Sequence, residues 1–164
     1  MMAARANVGG AHAVTGSIDP RAHPRCVVCG ASNALGLQLR FVERKDGVVE
    51  SSFECRDDYE GYPGQLHGGV IAMLLDGVMT NCLFATGRVA VTAELGIRYL
   101  HPVRTNVPAL VRARVERART RLQIVVAELI QDGKVKARAS AKFLEASKPR
   151  SPQAPKPKAP SVNG

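Results

Sequence analysis

Residues 67–85 read HGGVIAMLLDGVMTNCLFA, and this stretch decides the fold. From Val70 onward its strongly polar side chains are Asp76, Thr80 and Asn81 alone. A helix apolar on nearly every side has to be surrounded by other elements rather than laid on a surface. His67-Gly68-Gly69 marks its start and Gly87 its stop, which predicts a helix over residues 68–85. Asp76, in the middle of that run, is neither a cap nor part of a polar stripe. A carboxylate removed from water costs several kcal/mol unless it is paired or hydrogen-bonded. Its presence there points to chemistry; the alternative is a structural acid paired with Arg98 or a backbone amide.

Working outward, residues 37–43 alternate apolar and polar and read as a strand. A turn at Lys45-Asp46-Gly47 joins it to a second strand over 48–54, and residues 56–65 form a loop carrying Gly61, Pro63 and Gly64. After the helix come strands over 89–100, 108–117, 122–131 and 135–144, the last two joined by the hairpin signal Asp132-Gly133. Val111, Ala113 and Val115 share one face, with Arg112, Arg114 and Glu116 on the other. Val135, Ala137, Ala139 and Ala141 repeat the pattern against Lys136, Arg138, Ser140 and Lys142. One-sided strands belong to an antiparallel sheet with one wet face. The architecture that satisfies both signals is α+β: a curved antiparallel sheet wrapped around one long central helix.

At 164 residues the chain suits one domain with a full core. Residues 1–20 lack periodicity and are expected to be disordered; residues 146–164, with five prolines, read as a disordered basic tail. The folded domain is thus expected over 21–145. The tail holds four of the nine net positive charges, leaving a modestly basic body. That balance suits a polyanionic small partner such as a nucleotide-bearing substrate. No groove-reading helix or row of stacking aromatics accompanies it, so no nucleic-acid partner is expected. The central Asp76 and the strands that follow argue against a membrane span. Residues 1–20 contain no apolar signal core, and the cytoplasm is the expected location.

Cys82 lies in the apolar helix and reads as a small buried hydrophobe. Cys26-Val-Val-Cys29 is a single CxxC, and His23 three residues ahead offers a third donor. A four-ligand zinc set is missing and no βαβ pattern frames a redox pair. The reading is reduced thiols in an entry loop, with neither metal nor cofactor expected.

Residues 59–76, YEGYPGQLHGGVIAMLLD, and 91–102, VTAELGIRYLHP, resemble the hotdog-fold acyl-CoA thioesterases of the phenylacetate-pathway (PaaI-like) type. The upstream CVVCG at 26–30 and GLQL at 36–39 are similar to the same group, and the resemblance spans roughly residues 24–145. It implies hydrolysis of an acyl-CoA to a free acid and coenzyme A by a homodimer or a dimer of dimers. The catalytic carboxylate then falls on Asp76, with Thr92 positioning the attacking water and the backbone N–H of Gly68 acting as oxyanion hole. Physics supports the last role on its own. The first N–H groups of a helix lack internal acceptors and sit at the positive dipole end. Glycine there lets a carbonyl approach.

Gly69, His67, Thr80 and Gln65 are the expected substrate-binding residues. His67 is expected to orient the loop rather than carry protons. Thr80, one turn after Asp76, either touches substrate or bonds back to the helix. Many relatives carry Asn or Gln where this chain has Gly61, and Gln65 is the nearest polar substitute. Arg98, Arg104, Arg112 and Arg114 offer positive charge for coenzyme A phosphates, although a solvated strand face is the commoner meaning of such residues. Two mechanisms stay open, with Asp76 as general base or as nucleophile. The rival class is a non-catalytic acyl-CoA-binding or ligand-sensing hotdog domain.

Overall fold

The computed structural model of the chain describes residues 14–17 and 23–145. In chain order the strands are β1 (Val14–Ser17), β2 (Val42–Arg44), β3 (Val49–Phe53), β4 (Glu60–Tyr62) and β5 (Gln65–Leu66). Helix α1 (Gly68–Ala85) precedes β6 (Ala90–Tyr99), β7 (Ala109–Ala118), β8 (Leu122–Gln131) and β9 (Lys134–Glu145). Seven strands form one antiparallel sheet in the order β1-β2-β3-β7-β8-β9-β6. α1 packs against β3, β6, β7, β8 and β9, so the sheet curves round it as expected for a hotdog fold.

The helix begins and ends where its local chemistry dictates. Gly87 takes φ +73°, and the N–H groups of Gly87 and Arg88 close onto the carbonyls of Phe84 and Leu83 at 2.9 and 3.0 Å. This is the paired C-terminal capping that glycine makes accessible. Leu74, Leu75, Val78 and Met79 are fully buried, each worth about 1.5–3 kcal/mol of transfer free energy. Opposite them, Val111, Ala113, Ala137 and Ala141 come from the expected inward parity, and Leu129 of β8 is buried beside them. Asp132 and Gly133 both take positive φ, +53° and +70°, the left-handed pair that a two-residue hairpin turn requires. α1 also has the length and mean hydropathy of a membrane span, 18 residues at 1.6, but in this fold those residues serve as the core helix.

Three expectations are corrected. Residues 14–17, within the stretch expected to be disordered, pair with β2 as a strand; the rest of 1–20 and the tail 146–164 lie outside the described residues. The expected strand over 37–43 shrinks to β2. Gln38 takes φ +51°, and the N–H groups of Leu37 and Leu39 bond to Val27 and Val28 at 2.8 Å instead of to a sheet neighbour. The loop over 56–65 contains a short 3₁₀ turn (Asp57–Tyr59) and runs into the small β4–β5 hairpin that delivers His67 to the helix.

Candidate active site

The helix entrance is built from its own backbone. His67 is the N-cap, extended at φ −62° and ψ 134°, and its Nδ1 accepts the N–H of Gly69 at 2.9 Å. An imidazole accepting at Nδ1 carries its proton, when neutral, on Nε2. The N–H groups of Val70 and Ile71 turn to the His67 carbonyl at 3.0 and 3.1 Å. That leaves the N–H of Gly68 as the first-turn donor with no acceptor among the described residues. The Gly68 carbonyl accepts the Tyr99 hydroxyl at 3.0 Å, and a Cβ on Gly68 would meet the Tyr99 ring at an ordinary 3.7 Å. Gly61 abuts His67 closely. A Cβ there would stand 3.0 Å from the His67 Cα, so a side chain at 61 would displace the cap.

Eight residues along α1, Asp76 Oδ1 accepts the Thr92 hydroxyl at 2.7 Å. The pairing with Arg98 considered from sequence is not formed. Asp76 is also not removed from water: it is half-buried, as are Ala72, Met73 and Thr80 on the same side of the helix. The reason is β6, which closes one end of the sheet order and has no strand beyond it. Most of β6 is exposed, with Val91 at 59% and Tyr99 at 53%. A single chain therefore leaves one flank of the helix open, where the sequence predicted full enclosure.

A β-bulge between Thr92 and Glu94 shifts the parity of β6. Ahead of it Ala90 and Thr92 face the helix; behind it Leu95, Ile97 and Tyr99 do. Bulges re-aim side chains in this way beside functional sites. Sequence reading missed Tyr99 because uninterrupted alternation from Thr92 puts it on the opposite face.

The other expected residues divide clearly. Thr80 and Gln65 have no side-chain hydrogen bond among the described residues, and Gln65 lies on the exposed edge of β5. Arg112 and Arg138 pair with Glu128 on the far face of the sheet, beside a 490 Å³ cleft that includes neither Asp76 nor His67. Burial there opposes ionisation of Glu128, but the hydrogen bonds and charges of the two arginines outweigh it and hold its carboxyl below the usual range. Arg104 pairs with Asp132. Burial pushes the thiols of Cys55 and Cys82 up to about 11, in keeping with Cys82 as a core residue. His23, Cys26 and Cys29, by contrast, are brought together beside α1.

Residues 63–137 match the family model described as the thioesterase superfamily. A phenylacetic acid degradation-related protein from Ralstonia eutropha JMP134 is 31% identical, with 66% of this chain and 85% of that one covered and a TM-score of 0.61. The chain belongs to the thioesterase superfamily. Another member of this superfamily is 28% identical at a TM-score of 0.70; the match covers 74% of this chain but only 60% of that longer one. A Streptococcus mutans UA159 protein solved with acetyl-CoA bound shares the fold at 24% identity and a TM-score of 0.63, covering 67% of this chain and 90% of that one. The superfamily match takes in His67, Gly68, Asp76, Thr92 and Tyr99, and it excludes the His23–Cys29 segment.

Proposed function

We propose that this thioesterase superfamily member hydrolyses an acyl-CoA to a free acid and coenzyme A. The observation that carries the reading is the half-buried Asp76 carboxylate held by Thr92 on the same helix whose entrance offers the unpaired Gly68 N–H. The donor suits the oxygen of a thioester carbonyl, on which negative charge grows as the carbon becomes tetrahedral. Thr92 occupies Oδ1 and leaves Oδ2 to act. As general base, Oδ2 takes a proton from water while the hydroxide adds to the carbonyl carbon. The C–S bond then breaks and the proton passes to the leaving thiolate. As nucleophile, Oδ2 instead adds to the carbonyl carbon, and the C–S bond breaks to expel the coenzyme A thiolate. Water then opens the resulting mixed anhydride to the free acid and the Asp76 carboxylate, its released proton going to the thiolate. Thr80, one turn from Asp76, and Gln65, beside the entrance, would meet the acyl group or its water; His67 holds the entrance, and Gly69 admits the substrate without a side chain.

Eight residues of helix separate Gly68 from Asp76 by about 12 Å, far beyond reach of one carbonyl. We therefore place each site between two protomers. Antiparallel pairing of two exposed β6 edges would run the Asp76–Thr92 end of one chain along the Gly68–Tyr99 end of the other. It would also cover Val91 and the open flank of α1, as an unpaired edge strand requires. The acetyl-CoA held by the S. mutans neighbour supports the acyl-CoA class. Four free cysteines suit a reducing cytoplasm.

The test is thiol release from short, long and aryl acyl-CoAs by the wild type and by Asp76→Ala. Turnover that drops about 100- to 10,000-fold in the variant, with coenzyme A binding kept, is the expected result. Wild-type binding without turnover across the panel would instead mark a ligand-sensing domain.

A further inference from the structure

The segment HPRCVVCG, residues 23–30, is folded as a tight knuckle on the side of α1. The Cys26 N–H bonds to the His23 carbonyl at 3.0 Å, and the Gly30 N–H to the Cys26 carbonyl at 2.9 Å. Position 30 admits glycine alone, because a Cβ would stand 2.4 Å from the Cys26 nitrogen and 2.6 Å from its oxygen. Within the turn the Val28 N–H points at Cys26 Sγ at 3.4 Å. The ligand atoms of His23, Cys26 and Cys29 all lie within 4.8 Å of one another. A tetrahedral ion with bonds of about 2.3 Å to sulfur and about 2.0 Å to nitrogen needs its ligand atoms roughly 3.3–3.8 Å apart. Contraction by about 1 Å completes that geometry.

Two side chains around the knuckle are held in place beside the sulfurs. Asn81 is a buried amide in an apolar helix; its Nδ2 donates to the Gly77 carbonyl at 2.9 Å and faces Cys29 Sγ at 3.8 Å. Each sulfur is thus met by an N–H donor, the environment that supports a metal-bound thiolate. The His23 ring is fixed edge-on against Phe84, with centroids 4.3 Å apart. A simple CxxC disulfide would use neither the imidazole nor the amide.

We propose that His23, Cys26 and Cys29 bind one zinc ion, with water in the fourth position and Asn81 as the positioning residue behind Cys29. Two thiolates and an imidazole select zinc among abundant divalent cations. Gly77, Asn81 and Phe84 face the knuckle roughly 100° around the helix from Asp76. The ion therefore pins the entry segment to α1 and takes no part in thioester chemistry.

The experiment uses the full chain without a histidine tag, purified under reducing conditions. Elemental analysis should return close to one zinc per chain, falling below about a tenth in Cys26→Ser, Cys29→Ser and His23→Ala. Asn81→Leu should weaken zinc about 10- to 100-fold in competition with a chromophoric chelator. Cobalt substitution should give a sulfur-to-metal charge-transfer band that Cys26→Ser diminishes, a readout independent of whether the zinc-free variants stay folded. Zinc-free wild type, or zinc retained equally by all three ligand variants, would overturn the assignment.

Discussion

Replacing Gly68 with proline removes one N–H and almost nothing else. Gly68 is the first helical residue, where proline is favoured because that N–H has no helical acceptor. The residue before a proline must be extended, and His67 already sits at φ −62° and ψ 134°. The nearest atoms to a new Cβ are those of the Tyr99 ring at 3.7 Å, an ordinary contact. Stability should therefore change by no more than about 1 kcal/mol. The catalytic effect should be far larger. The N–H of Gly69 is turned to His67, and those of Val70 and Ile71 to its carbonyl, so Gly68 supplies the one outward donor among these residues. Loss of a single oxyanion donor costs about 2.7–4 kcal/mol, or roughly 100- to 1000-fold in kcat. The assay is thiol release on the best acyl-CoA, alongside thermal unfolding to confirm the fold, with Gly68→Ala as the control that keeps the N–H and nearly full activity. A folded Gly68→Pro enzyme within a few-fold of wild type would refute the oxyanion role.

Thr92→Val keeps the shape and loses the 2.7 Å bond to Asp76. With Asp76 only half-buried the cost should lie near the low end for a charged acceptor, about 1.5 kcal/mol. That corresponds to about 10-fold in kcat with KM unchanged and Thr92→Ser restoring the rate; a KM effect alone would contradict the positioning role. Glu128→Gln should cost less than about 1 kcal/mol at neutral pH, since Glu128 ties Arg112 and Arg138 together near the surface. A carboxyl held below its ordinary range contributes stability above about pH 4.3 and loses it as pH falls through the folded value. The difference in Tm between wild type and variant should hold above that pH and close below it; a gap persisting in acid would contradict the pairing. A Cβ on Gly77 would stand 2.5 Å from Val28 Cγ1. Gly77→Ala should therefore destabilise by about 1–2 kcal/mol alone and become neutral or better in a Val28→Ala background, which a double-mutant cycle of unfolding free energies would check.

The long elements were legible because their signals are local. The Gly-Gly entrance, the Gly87 stop and the inward alanines and valines of β7 and β9 each rest on neighbours in sequence. β1 escaped notice because a four-residue edge strand carries no periodic signal and pairs with residues 42–44 far along the chain. The exposure of Asp76 was misread for a different reason. Composition says that an apolar helix wants cover on all sides, but not whether the cover comes from its own chain. Tyr99 was hidden by the bulge after Thr92, a departure from alternation that no propensity scale announces. The CxxC looked incomplete as a metal site because the sequence offers three donors and no fourth, and nothing local says that the chain folds His23 against Phe84 and brings its ring close to both sulfurs.

The claim on which the rest depends is that the acid of one protomer works against the helix entrance of the other. Mixing Asp76→Ala with Gly68→Pro after subunit exchange tests it directly. Each variant alone is impaired at both sites of its homodimer. In a two-fold dimer with shared sites, half of the mixed population is heterodimer, and each heterodimer holds one site with both groups intact. Thiol release should then recover to about a quarter of the wild-type rate. Activity no greater than the average of the two variants, with heterodimers present in the mixture, would contradict a shared site.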